Sequence, residues 1–208
     1  MSSADKPNYY SVEEYLQREA TSLVKSEYVD GWIRAMTGAS IRHNRVAGNC
    51  FLSLGSQLKG NPCTPFNSDT KLRIDRSHRK RLYYPDMQVV CESNDQLSVY
   101  QDHPVLIIEV LSPSTRAYDL HEKLDVYLSV PSLQCYIVLE QHQPIAYVMR
   151  RSNQEWIKET IQGLDATIRL PFLACSLSLK DIYEGIEFTE TCVQEPDPEY
   201  ECIQEGGS

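Results

Sequence analysis

Two acidic residues stand where a chain ordinarily keeps charge out: Asp86 within YYPDMQVV and Glu109 within LIIEVLSPST, each set in a run that reads as a buried strand. An unpaired buried carboxylate costs several kcal/mol or shifts its pKa until it neutralises. Two of them on neighbouring strands repel unless a cation lies between. Oxygen-only donors suit Mg²⁺ or Mn²⁺, which take one or two carboxylates and complete their shell with water and substrate phosphate. A divalent metal would account for both anomalies together.

A third group can be placed by geometry. Glu109 lies two residues before the expected strand end at Leu111, where a strand rises ~3.3 Å per residue. A helix folding back from about residue 116 descends ~1.5 Å per residue, so Lys123 returns to roughly the height of Glu109. Lys123 sits at the edge of the Leu120, Leu124 and Leu128 stripe, beside Tyr127. Plainer readings exist for each residue. A buried strand Asp or Glu can cap neighbouring backbone or pair with an arginine. Lys123 can pair with Asp119 at i, i+4, a surface contact worth ~0.3–0.5 kcal/mol.

The secondary structure around these residues is legible along the chain. Ser11-Val-Glu-Glu14 has the capping-box pattern and opens a short helix to about residue 18. EYVDGWIRAM reads as a β-hairpin about Asp30-Gly31. From about 40 to 59, Ile41, Val46, Cys50, Leu54 and Leu58 fall along one helical face, and Gly60-Asn-Pro62 stops the helix. Strands are expected over about 64–74, 82–92 and 105–111, then a helix over the next stretch to about 130, capped by Ser114 or Thr115. Further strands are expected at 134–140, 145–151, 155–161 and 167–171, and a closing helix at 177–185. Helices alternating with a strand run imply an α/β domain whose mixed sheet is covered on both faces.

Composition sets outer limits. The 208 residues, 41% hydrophobic and 24% charged, fit one globular domain over 9–188, with a frayed leader at 1–8. No apolar run approaches the roughly 18–20 residues a membrane span needs, and the first residues show no secretory signal, so a cytoplasmic protein without a membrane partner is expected. Seven cysteines, odd in number, never form CxxC and read as reduced thiols. The net charge of −9 argues at first against nucleic acid. Residues 189–208, however, hold six acids and no Lys or Arg, leaving the remainder with 23 acids against 20 bases. This acidic tail is expected to be disordered.

The residues YYPDMQVV, then LIIEVLSPSTRAYDLHEKLDVYLSV, then CYIVL, with EYVDGWIRAM and IRHNRV before them, resemble the Uma-two family, a restriction-endonuclease-type branch of the PD-(D/E)XK nuclease superfamily abundant in cyanobacteria. The resemblance covers about residues 9–188. It implies a restriction endonuclease-like mixed sheet flanked by helices, with core order α-β-β-β-α-β plus an N-terminal hairpin and C-terminal strands. It also implies that the aspartate of the second core strand and the glutamate of the third bind metal, which map to Asp86 and Glu109. The superfamily's lysine two residues after the glutamate is replaced here by Leu111, and the resemblance points to Lys123 on the next helix instead.

On that reading Asp86, Glu109 and the Val110 carbonyl hold Mg²⁺ (or Mn²⁺), Lys123 positions the attacking water, and the substrate is DNA. Glu27, His43 and Asp119 are further residues for the same pocket. RIDRSHRKR supplies candidate phosphate contacts at Arg73, Arg76, Arg79, Lys80 and Arg81, although a solvated turn would look the same. Ser112 and Ser114 lack the G-x-S-x-G elbow of a serine hydrolase and fit a capping turn better. The expected activity is metal-dependent endonuclease cleavage, in a homodimer where both strands are cut. The alternative is a catalytically inactive nuclease fold that binds DNA or a protein partner.

Overall fold

The computed structural model describes residues 9–188, apart from 77, 78, 113–115, 117 and 154, and the side chain of Asp119 also lies outside the described set. The leader at 1–8, the acidic tail, and the Ser114 or Thr115 cap therefore fall outside it. In chain order the elements are α1 (Val12–Glu19), β1 (Ser26–Val29), β2 (Trp32–Ala35), α2 (Ile41–Gln57), β3 (Thr64–Asn67), β4 (Lys71–Arg76), β5 (Arg79–Tyr83), β6 (Met87–Val90), β7 (Tyr100–Gln101) and β8 (Pro104–Val110). A π-helical segment, Tyr118–Glu122, leads into α3 (Lys123–Leu128). Then come β9 (Cys135–Leu139), β10 (Ile145–Ser152), β11 (Glu155–Gln162), β12 (Thr167–Leu170), β13 (Cys175–Ser178) and α4 (Leu179–Ile182).

A six-stranded sheet in the order β11-β10-β9-β8-β6-β3 forms the centre, with β8 and β9 parallel and its other neighbours antiparallel. Helix α2, strands β3, β6 and β8, helix α3 and strand β9 reproduce the expected α-β-β-β-α-β order within this sheet and the helices on it. One face carries an apolar cluster against α2, including Val46, Cys50, Leu54, Met87, Ile108 and Ile137. The other carries Ile107, Leu111, Tyr136 and Val138 against Leu120, Leu124 and Tyr127. A second sheet, β2-β1-β5-β4-β7, extends the domain and closes over this second face.

Local sequence explains several of these elements. Ser11 and Glu14 form the anticipated capping box at α1, the Glu14 amide donating to Ser11 Oγ at 3.1 Å and the Ser11 amide to Glu14 Oε2 at 2.7 Å. Asp30, with φ of 46°, and Gly31, with φ of 95°, make the β1–β2 turn that only residues tolerant of positive φ can make. Ser40 caps α2, whose buried stripe is His43, Val46, Cys50 and Leu54. Ile41, expected on that stripe, is instead exposed, because the face turning inward begins with His43.

Other expectations need correction. The stretch 64–74 is two strands, β3 and β4, belonging to different sheets and separated by a turn in which the Thr70 amide donates to Asn67 O. Likewise 82–92 divides into β5 and β6 around Tyr84-Pro85, since Pro85 cannot donate to a ladder. The expected closing helix at 177–185 begins as β13, paired with β12, and only then turns helical. The helix expected up to about 130 is a π-helical segment followed by a short α-helix. Cys63 and Cys91, expected as thiols, are joined in a disulfide. The β3–β6 register pairs Thr64 with Val90, which sets the flanking cysteines opposite each other, a relation invisible in their 28-residue separation. Cys50, Cys135 and Cys175 are free and buried.

Candidate active site

Asp86 and Glu109 are brought together by strand register. Met87 pairs with Ile108 across β6 and β8, so Asp86, at the entry to β6, comes opposite Glu109. Each carboxylate accepts from a backbone amide across the strand pair. The Asp86 amide donates to Glu109 Oε2 at 3.1 Å, and the Val110 amide donates to Asp86 Oδ2 at 2.7 Å.

Lys123, the first residue of α3, reaches this pair from the second face of the sheet. Its Nζ lies 3.2 Å from Glu109 Oε1 and 3.0 Å from Glu27 Oε1 of β1. Glu27, Lys123 and Glu109 are only 4%, 5% and 3% exposed, so two carboxylates share one ammonium almost without water. Buried charges of this kind persist only where geometry and additional hydrogen bonds compensate desolvation. Tyr127 OH donates to Glu109 Oε1 at 2.9 Å, and the Tyr84 amide donates to Glu27 Oε1 at 3.4 Å. Burial, and then the adjacent Glu109 charge, raise the Tyr127 pKa well above the usual phenol value, which keeps it a donor.

His43, from the first turn of α2, approaches from the opposite side. Its Nε2 lies 3.2 Å from Asp86 Oδ2. The turn carrying it is anchored by Ser40 Oγ, which donates to Gln141 Oε1 at 3.0 Å, while Gln141 Nε2 donates to Leu111 O at 2.8 Å. Asp86 is the most open member of the group, its side chain 18% exposed.

Of the residues singled out from sequence, Asp86, Glu109, Lys123, Glu27 and His43 are assembled in one place, with Val110 providing backbone there. Asp119's side chain is outside the described residues. Among the candidate phosphate contacts, Arg73 is held by Asp102, with Nε to Oδ1 and Nη2 to Oδ2 each 2.8 Å. Arg81 is buried and paired with Asp30. Arg76, Arg79 and Lys80 are exposed at the β4–β5 hairpin. Sequence reasoning placed Tyr127 in an apolar stripe and overlooked Gln141. The signal for Tyr127 was its i+4 spacing from Lys123, which puts hydroxyl and ammonium on one helical face.

The donor chemistry fits a hard divalent cation in kind, with two carboxylates on opposed strand positions and the Val110 backbone beside them. Among the described residues no three His, Cys, Asp or Glu side chains converge into a complete metal cage. Mg²⁺ does not require one, since it keeps several waters. No described helix is long and apolar enough to cross a membrane.

Comparison with known proteins bears on family and fold. A family model described as "Uma2: Putative restriction endonuclease" matches residues 12–180. Two relatives from Synechocystis sp. are similar. "Uncharacterized protein slr1290" is 33% identical over 180 residues, covering 86% of this chain and 93% of that protein. "Uncharacterized protein sll1609" is 32% identical over 166 residues, covering 77% and 92%. A solved structure from Anabaena variabilis, described as "a putative nuclease belonging to DUF820", superposes with a TM-score of 0.69 over 84% of this chain and 98% of that one. At 18% identity, that last likeness is one of fold. With Asp86 and Glu109 on adjoining core strands and the family model spanning both, the chain belongs to the Uma2 family.

Proposed function

We propose that this protein is a metal-dependent DNA endonuclease, with Asp86 and Glu109 as ligands of Mg²⁺ or Mn²⁺ and Lys123 in the role of the superfamily lysine. The observation that carries this reading is the meeting of the Asp86–Glu109 pair with the Lys123 ammonium, 3.2 Å from Glu109 Oε1. With its three carboxylates ionised and Lys123 charged, the cluster of Glu27, Lys123, Glu109 and Asp86 has a formal charge of −2, which one dication offsets. Leu111, at the position two residues after the glutamate, is buried in the apolar cluster. Lys123 supplies the missing ammonium from the next element.

Asp86, Glu109 and the Val110 carbonyl would hold the ion. When bound, it lowers the pKa of its water and stabilises charge developing on a phosphate. The chain's own groups do the rest. Lys123 orients the attacking water and offsets phosphate charge, Glu27 and Tyr127 fix Lys123 and Glu109, and His43 steadies Asp86 from the open side. Low exposure around Glu109 and Lys123 strengthens each of these interactions.

Supercoiled DNA incubated with the purified protein and Mg²⁺ or Mn²⁺ is expected to be nicked, and nicking to stop in EDTA. Asp86→Ala and Glu109→Ala should each lose activity by roughly two to three orders of magnitude. Absence of cleavage with either metal, or full activity in Glu109→Ala, would overturn the proposal. A second reading, an inactive nuclease fold that binds DNA or protein, is favoured by one observation, the apolar Leu111 at the lysine position. Calorimetric titration with Mn²⁺ separates the two, heat of binding lost in Asp86→Ala supporting the enzyme. Light scattering reports whether the protein acts as the homodimer suited to cutting both strands.

A further inference from the structure

We infer that the exposed margin of one face of the five-stranded sheet, around the residues that pack over α3, is the track along which a DNA strand leaves the active site, with Arg34, Trp32, Arg79 and Arg76 as its contacts. The inference rests on the nuclease reading and adds where the substrate lies.

Strand register defines the face. Across β1 and β2, Glu27 pairs with Arg34 and Val29 with Trp32. Across β1 and β5, Val29 pairs with Arg81. Across β4 and β5, Ile74 pairs with Arg81 and Arg76 with Arg79. Directly opposed residues share a face and alternate residues return to it. Glu27, Arg34, Trp32, Arg79 and Arg76 are therefore on one side of the sheet, and Glu27 is the residue that grips Lys123.

Arg34 has a second link to the site. Its guanidinium stacks 3.9 Å from the centroid of the Tyr118 ring, and Lys123 Nζ lies 5.7 Å from the centroid of the same ring. Arg34 thus sets an exposed cation across the Tyr118 ring from Lys123. At the far end, Lys123 Nζ is 5.5 Å from the Tyr83 ring, and Arg79 lies four residues along β5 from Tyr83. That separation is roughly 13 Å at ~3.3 Å per residue, about four base-pair rises of a duplex at ~3.4 Å each. Trp32, its ring 5.2 Å from that of Tyr9, is 46% exposed on the same face and offers the rest of its indole against sugars or bases.

The reverse face differs in kind. It carries Lys80 opposite Asp75, then Leu82 and Tyr28 packed with Tyr15 of α1. Arg73 and Arg81 are committed to Asp102 and Asp30. Of the basic residues in RIDRSHRKR, only Arg76 and Arg79 are among the described residues both exposed and on the side of the active site.

The test is binding of a fluorescein-labelled 20-base-pair DNA duplex to the full chain in EDTA, followed by anisotropy over a series of NaCl concentrations. Arg34→Gln and Arg79→Gln are each expected to weaken binding about three- to tenfold and to lower the salt slope by about one. Trp32→Ala should weaken binding of the corresponding single strand about tenfold. Lys80→Gln, one residue from Arg79 but on the reverse face, should leave affinity within about twofold. All four side chains are exposed, and circular dichroism verifies that the variants fold. If the wild type binds DNA but Lys80→Gln costs as much as Arg79→Gln, or Arg34→Gln costs nothing, the track is wrong while the nuclease reading stands. If the wild type binds no DNA at all, both fall.

Discussion

The two faces of the central sheet are built by opposite rules. Against α2, beyond the His43–Asp86 contact at its end, the cluster around Val46, Leu54, Val89 and Ile137 is apolar, and volume decides its stability. Against α3 and the second sheet, apolar residues surround Glu109, Lys123 and Glu27, and stability there depends on matching charge in a nearly dry space. A fold can hold ionic groups on one face of a sheet because the other face is left to supply most of the hydrophobic free energy.

Breaking that contrast should cost most at the ammonium. Lys123→Met keeps the aliphatic stem but leaves two buried carboxylates unmatched, and a loss of about 3–5 kcal/mol is expected in urea unfolding. The contrast is sharpened by Glu27→Gln, Lys123→Met and Glu109→Gln combined, which should cost less than Lys123→Met alone, since the unmatched charge disappears with its partner. On the apolar face, Leu54→Ala should cost about 2–5 kcal/mol through transfer and cavity terms, with no dependence on charge elsewhere. A smaller effect, about 1–3 kcal/mol, is expected for Tyr127→Phe, which deprives Glu109 of a buried donor without changing shape.

The smallest effect lies outside both faces. Hydrogen bonding to Arg81 holds the Asp30 carboxyl below the usual aspartate range, against the opposing effect of its partial burial. A depressed folded-state pKa contributes stability that is present above the ordinary aspartate pKa and lost as pH falls through the depressed value. Asp30→Asn, which still tolerates the positive φ and whose amide oxygen still accepts from the Lys80 amide and from Arg81, should cost at most about 1 kcal/mol at neutral pH. The difference from wild type should vanish in acid, as unfolding midpoints measured across that window will show.

Much of the site was legible because charge in an apolar run is costly and therefore informative. Asp86 and Glu109 stood out for that reason, and the rise of strand and helix returned Lys123 to the right height. Glu27 and His43 were harder, since each sits in a segment that an exposed hairpin or first turn would equally explain. The division of strands between two sheets was not legible. Periodicity fixes which side of a strand is buried, and it is silent on which neighbour the strand pairs with, so β3 and β4 looked continuous. The disulfide was hidden for the same reason, as only the register of β3 with β6 makes Cys63 and Cys91 adjacent.

The π-helical turn at Tyr118–Glu122 can be seen as a change of phase. An α-helix advances roughly 100° per residue, and a π turn takes up one residue more than an α turn, so the residues after it are rotated by about a quarter turn relative to those before it. After this offset, Lys123 and Tyr127, four residues apart in α3, both face Glu109, while Leu120 and Leu124 join the apolar cluster. In this segment chain length itself carries information. Removing one residue would leave the composition and the apolar cluster almost intact, yet swing the ammonium away from its carboxylates.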